Sequence, residues 1–154
     1  MEGFFKVCFI LDHLNKVPEN VNLWLVYLLS YLNKKLTLKE VAILVYSLDY
    51  LYSKIPPNGL RDNELSELER KLEYIVDYVN SFYKPNEGLY RFSINEKPLE
   101  ETRYALFSIN LIEDIIQDAI YYHNADLKPI NRIYDKLGGV EKILKIANLL
   151  PKTS

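Results

Sequence analysis

Apolar residues recur at spacings of three and four along most of the chain, which is the pattern of helices with one buried face. Helices are predicted from Asn20 or Asn22 to about position 34, over 38–55, over 61–83, over 99–122 and after Gly138-Gly139 up to Pro151. The pattern is clearest in the third of these, whose predicted buried face is Leu65, Leu68, Leu72, Ile75, Val76 and Val79. The chain is therefore predicted to be all-α, a single compact helical domain of about five to seven helices.

Several residues mark where the predicted helices begin and end. Thr37 and Glu40 have the spacing of a capping box, in which each side chain bonds the other residue's free amide. Two prolines and Gly59 close the helix that follows. The segment 84–98 has no helical pattern and is predicted to be the longest irregular connection, with a short extended piece over 88–94. Long ordered loops in compact domains are often functional.

The helix predicted over 99–122 contains one arginine, Arg103, and otherwise only acidic residues as charges. On a helical wheel Arg103 lies in line with Asn110 and Asp114, away from the apolar side. That buried side is predicted to be Leu99, Thr102, Ala105, Leu106, Ile109, Ile112, Ile116 and Ile120. Arg103 is thus expected at the surface, in the first turn after the irregular segment.

The chain divides into residues 1–20 and a helical core domain, residues 21–154. The N-terminal part has the apolar phase of a short helix followed by a hinge at 17–20, so it either packs on the core or forms a mobile arm. The start lacks the basic region and cleavage site of an export signal, and the apolar run 21–32 is too short to span a membrane. An intracellular, cytoplasmic protein without membrane contact is expected.

Composition and motifs argue against a catalytic or metal-binding chain. The formal net charge is -2, so bulk charge does not favour nucleic-acid binding, and the single cysteine excludes an iron-sulfur cluster held by this chain alone. His13 and His123 have no second ligand at metal-binding spacing. Motifs for paired magnesium ions, a phosphate loop, a dinucleotide or a nucleophile elbow are missing from the sequence. We expect no active site and no resident cofactor.

Arginines next to tyrosines are the chemistry that remains. Guanidinium groups bind phosphate through paired donors, and tyrosine rings offer stacking faces. Three arginines of the later half lie within two residues of a tyrosine: Arg91 near Tyr90, Arg103 near Tyr104, and Arg132 near Tyr134. The pattern indicates a phosphate-binding patch. The alternative is that these arginines cover apolar surface and pair with nearby glutamates.

A resemblance favours the first interpretation. The string TRYALFSINLIEDIIQDAIYYH resembles the C-terminal domain of the primase large subunit, where an arginine and a Leu-Phe pair open a helix. PINRIYDKLGG is similar to the Asn-Arg neighbourhood before a glycine in that domain. Together with the length and the missing cluster cysteines, the chain resembles the PriX family, the non-catalytic third subunit of the archaeal heterotrimeric DNA primase. The similarity covers about residues 99–139.

This resemblance implies an all-helical module that docks on the catalytic small subunit and the large subunit of the primase. It implies that the module holds the triphosphate of the initiating nucleotide, supplied as Mg-NTP, on template single-stranded DNA. Arg103, with Tyr104 beside it, would bind the triphosphate, and Asn131 and Arg132 would add contacts. Three further candidates come from loop position and chemistry alone: Tyr90, Arg91 and Lys97.

The chain departs from the large-subunit pattern at one place, and two rival interpretations stand beside the resemblance. Where the large-subunit domain has basic residues before the arginine, this chain has Glu100 and Glu101, which would repel a triphosphate unless they face away or act through magnesium. One rival is a purely structural helical adaptor without nucleotide contact. The other is a fragment of a helical-hairpin enzyme, because NEGLYRF followed by TRYALFSINLI faintly resembles prenyltransferase and terpene-cyclase repeats, of which the chain contains one.

Overall fold

The computed structural model describes residues 2–14, 16, 19–55, 59, 61–93 and 97–123. Within them are five α-helices and one short hairpin, so the predicted all-α class is confirmed. The helices are α1 Glu2–His13, α2 Val21–Leu29, α3 Leu38–Ser53, α4 Asp62–Asn80 and α5 Pro98–His123. A 3-10 turn, Ser30–Asn33, extends α2. The predicted final helix after Gly138 lies outside the described residues.

Helix α3 is the centre of the fold. It packs against α1, α2 and α5, and most of its side chains are buried. Its first turn is fixed by the predicted capping box, which is confirmed: the Thr37 amide donates to Glu40 Oε1 and the Glu40 amide to Thr37 Oγ1, both at 3.1 Å. With these amides satisfied, α3 begins at Leu38, where the sequence predicts it.

Helix α4 covers the core with one apolar stripe, and all six residues predicted for that face are buried. It is also hydrogen-bonded to the end of the α2–α3 connection, where the Tyr78 hydroxyl donates to the carbonyl of Leu36 at 2.5 Å. Burial raises the Tyr78 pKa above its ordinary value, although this hydrogen bond lowers it. The three-and-four spacing therefore predicts both the helix and its face correctly.

Where the sequence predicts an irregular segment with one short extended piece, the structure has an ordered hairpin that begins at Tyr83. Strands β1 (Tyr83–Lys84) and β2 (Leu89–Tyr90) pair antiparallel, with Tyr83 opposite Tyr90. The turn between them ends at Gly88, whose φ of 68° is the left-handed conformation that glycine adopts without steric cost. Only the β2 part coincides with the extended piece predicted over 88–94.

Helix α5 buries a wider face than predicted. Thr102, Ala105, Ile109, Ile112 and Ile116 are buried as expected. The prediction for Leu99 is wrong, because this residue lies in the first turn at the surface and is 57% exposed. Leu106 is only partly buried, and three residues not assigned to the face are buried: Glu101, Ser108 and Ile115.

The N-terminal helix α1 contacts α3, and Leu11 packs against the core. After α1 the chain is tied to α3 by the Tyr50 hydroxyl, which donates to the carbonyl of Lys16 at 2.8 Å. The division into residues 1–20 and 21–154 stays a prediction. Among the described helices, none combines the length and the apolar character that a membrane crossing requires.

Candidate functional site

An open groove of about 510 Å³ lies between α3 and α5. Its volume falls in the range of small-molecule sites, roughly 300–1,000 Å³. Four residues of α3 and three of α5 line it: Lys39, Ala42, Ile43, Tyr46, Arg103, Tyr104 and Phe107. Almost all of the surface that it presents is apolar, so Lys39 and Arg103 line the groove mainly through the apolar parts of their side chains.

Helical spacing explains why these residues meet. The α3 contributors are spaced by three and four, so they form one stripe beside the buried face of that helix. On α5, Arg103 and Phe107 are four residues apart and share the outer face, while Tyr104 is half-buried beside them. Phe107 remains 45% exposed. The groove is thus bordered by an aromatic ring open to solvent and by a guanidinium on the same helix.

Lys39 and Arg103 are both exposed, and neither forms an ion pair within the described part of the chain. Arg103 is therefore at the surface, as predicted. Lys39 lies in the first turn of α3, where the backbone dipoles add partial positive charge. Within the described part of the chain, two exposed cations without ion-pair partners thus lie beside an apolar wall, an arrangement that suits an anion with a flat or apolar group.

The carboxylates nearest in sequence to these cations are engaged elsewhere. Glu40 accepts from the Thr37 amide in the capping box. Glu101 is 4% exposed and accepts from the Phe92 amide at 2.5 Å, so it points into the fold. The Glu100 carboxylate is exposed and lies 3.9 Å from Lys97 Nζ. The repulsion that the sequence predicts for Glu101 is therefore removed by its orientation.

Glu101 and Thr102 fasten the hairpin to α5. The Tyr90 amide donates to Thr102 Oγ1 at 3.0 Å, and the Thr102 hydroxyl donates to the carbonyl of Pro98 at 2.7 Å. The Phe92 amide donates to the Glu101 carboxylate. Two backbone amides of the connection, the segment between α4 and α5, therefore donate to side chains in the first two turns of α5. We call this set of contacts the clasp. It holds the connection on the inner side of α5 and leaves Arg103 facing outward.

The other loop candidates do not join Arg103 at the groove. Tyr90 is fully buried. The Arg91 Nε atom lies 2.6 Å from Glu87 Oε2, so this arginine is paired within the hairpin turn. Lys97 is exposed and near Glu100. Of the predicted site residues that the structure describes, only Arg103 and Tyr104 lie at the groove.

Asn131 and Arg132 lie outside the described residues, and their roles stay predictions. Lys39, Tyr46 and Phe107 line the groove but are not among the residues predicted from the sequence. Phe107 could have been found, because it is four residues from Arg103 and thus on the same helical face. Nothing in the sequence links α3 residues to α5, since that pairing depends on tertiary packing.

Replacing Tyr90 with phenylalanine is expected to leave the free energy of unfolding at pH 7 unchanged or to raise it by up to about 1 kcal/mol. The Tyr90 hydroxyl is buried and has no hydrogen-bond partner among the described residues, so the wild-type protein bears its desolvation cost. Urea unfolding measures the change. A clear loss of stability would show that the hydroxyl makes a stabilising interaction.

The same variant is expected to be less sensitive to alkaline pH. Burial, assisted by nearby Tyr83, raises the pKa of Tyr90 to about 12. Above about pH 10 the unfolded chain loses this proton while the folded protein keeps it, so the stabilisation present at lower pH is lost as pH rises toward 12. Urea unfolding between pH 9 and 11 should show a shallower decline for Tyr90→Phe than for wild type.

Among the described residues, no group of three or more histidine, cysteine, aspartate or glutamate side chains is placed to hold a metal ion. No family model, characterised protein or solved structure matches the chain significantly.

Proposed function

We propose that this chain is a non-catalytic primase subunit that helps initiate RNA primers by binding the triphosphate of the first nucleotide at Arg103. The observation that carries the proposal is the exposed Arg103 guanidinium, which has no ion-pair partner among the described residues and borders an open groove. The orientation of Glu101 into the fold supports it, because it removes one of the two nearby carboxylates from the surface. The resemblance supplies the biological setting.

The mechanism is positional. Two free nucleotides must be held in line on a template before the first bond forms, and no primer duplex anchors either of them. A module that binds one triphosphate holds that nucleotide in position, and the binding energy offsets the entropy cost of orienting it. In this proposal the catalytic small subunit performs the chemistry with Mg-NTP, and the large subunit and template DNA complete the assembly.

Arg103→Ala is expected to weaken ATP or GTP binding at least about tenfold, because it removes a charged group that pairs with phosphate oxygens. Titration calorimetry at low salt measures the affinity, with AMP as the ligand control. The matched variant is Arg70→Ala, which removes an equal charge from α4, where Arg70 is exposed, paired with Glu67 and away from the groove. Equal affinities for Arg103→Ala and wild type would contradict the proposal.

In the assembled primase, the same substitution is expected to slow synthesis of the first dinucleotide without slowing extension of a supplied primer. The reason is that a growing primer is anchored by its duplex and no longer needs the grip on its first nucleotide. Equal slowing of both reactions would show that Arg103 acts in some other way than by positioning.

A second candidate function is that of a purely structural adaptor. It is favoured by exposed apolar side chains on and just after the first two helices, which suit contact with a partner protein. These are Val7, Ile10, Leu14, Leu23, Val26 and Tyr27. The adaptor predicts that the chain assembles with its partners but has no affinity for nucleoside triphosphates, so the calorimetry above separates the two candidates.

A further inference from the structure

The α3–α5 groove is larger and more apolar than a phosphate site requires. Phosphate groups are bound by cations and amides, whereas Ala42, Ile43 and Phe107 offer neither in the groove wall. An anion held only by Arg103 would leave this wall uncovered. The lining therefore indicates that the ligand has an apolar, flat part as well as its charge.

We infer that the groove takes the base of a bound nucleoside triphosphate against Phe107, and that Lys39 is a second phosphate contact opposite Arg103. The inference rests on the proposed function, and it adds the base and a residue of α3. Two cations at one groove, neither of them ion-paired with another described residue, match the several charges of a triphosphate better than one does. The groove thereby selects a nucleotide over phosphate alone.

Phe107 provides the stacking face. Its ring is 45% exposed although it lies on the same helix as the core residues, and it borders the groove rather than filling it. Aromatic side chains bind bases through their faces with little regard to sequence. Because the wall is almost entirely apolar, the base edges meet few groups that could read them. ATP and GTP should bind within about threefold of each other and more tightly than UTP, which has the smaller stacking surface.

Lys39 is available for phosphate because its neighbour does not neutralise it. The Glu40 carboxylate is directed to the Thr37 amide, and Lys39 itself forms no ion pair within the described residues. Its position in the first turn of α3 adds the partial positive charge of that helix end. Lys39 and Arg103 thus come from two helices that pack together, so the folded protein is needed to form the site.

The test compares ATP with inorganic tripolyphosphate, which carries the phosphates without a base. With the purified chain at low salt, ATP should bind at least about fivefold more tightly than tripolyphosphate. Phe107→Ala should remove this difference and leave tripolyphosphate binding unchanged, while Phe107→Tyr, which keeps the ring, should retain it. Lys39→Ala should weaken both ligands about fivefold, whereas Lys84→Ala on the hairpin should change neither.

The possible results separate this inference from the proposed function. Equal binding of ATP and tripolyphosphate, both lost in Arg103→Ala, would overturn the inference and leave the phosphate grip intact. Unchanged affinities in Lys39→Ala would overturn the assignment of Lys39. Absence of binding by either ligand, in the chain alone and in the assembled primase, would overturn the inference and the proposed function together. Circular dichroism of each variant confirms that it is folded.

Discussion

Replacing Ile112 with alanine is expected to lower the free energy of unfolding by about 3–4 kcal/mol. Ile112 is fully buried on α5, the helix that packs most extensively on α3. The substitution removes buried methyl and methylene groups and leaves a cavity that the two helices cannot close without moving. For a domain of this size, such a loss is a large fraction of a total stability of about 5–15 kcal/mol. Urea unfolding followed by circular dichroism measures it.

Leu99→Ala is the matched control on the same helix. Leu99 is 57% exposed, so its truncation should change the free energy of unfolding by less than about 0.5 kcal/mol. The pair tests the face of α5 directly, since the sequence alone assigns both residues to the buried side. Similar losses in the two variants would mean that the first turn of α5 is packed more closely than the structure has it.

Glu101→Ala is expected to cost about 2–3 kcal/mol, the range for a hydrogen bond to a charged group whose partner is left unsatisfied. The variant removes the acceptor of the Phe92 amide and so opens the clasp between α5 and the connection. The second carboxylate oxygen, Oε1, is buried and has no hydrogen-bond partner in the part of the chain that the structure describes. This offsets part of the loss, because the wild type already bears that desolvation cost.

Glu101→Gln keeps an acceptor for the Phe92 amide and should cost less than about 1 kcal/mol. Urea unfolding of both variants at pH 7 gives the comparison. If glutamine destabilised the protein as much as alanine, the negative charge rather than the hydrogen bond would account for the stability. No loss in the alanine variant would mean that the clasp does not hold the connection in solution.

Local signals in the sequence predict the helices well, because caps and apolar spacing act within a few residues. The Thr37–Glu40 capping box and the buried stripe of α4 are examples, and both are confirmed. The face of α5 is only partly predicted, since polar residues are assigned to the surface by default. Glu101 is buried because the hairpin supplies it with a backbone amide, and sequence spacing carries no trace of that contact.

The candidate site is also only partly predictable from the sequence. The outward position of Arg103 follows from the helical wheel, and Tyr104 comes with it. Loop position and chemistry make Tyr90 a site candidate in the sequence, but in the structure it is a core residue, because β2 and the clasp turn its ring inward. Lys39 could not be predicted, since it reaches the groove through the packing of α3 on α5.

Three consecutive backbone amides at the clasp are bonded to two different elements. Those of Tyr90 and Phe92 are bonded to α5 side chains, while the Arg91 amide between them donates to the Phe82 carbonyl at 2.9 Å. In hydrogen exchange, the outer two should therefore report local release of the connection from α5, and the middle one should report opening of the hairpin. The exchange rates of neighbouring amides would then report two separate opening motions. Glu101→Ala should accelerate hydrogen exchange of the Phe92 amide far more than that of the Arg91 amide.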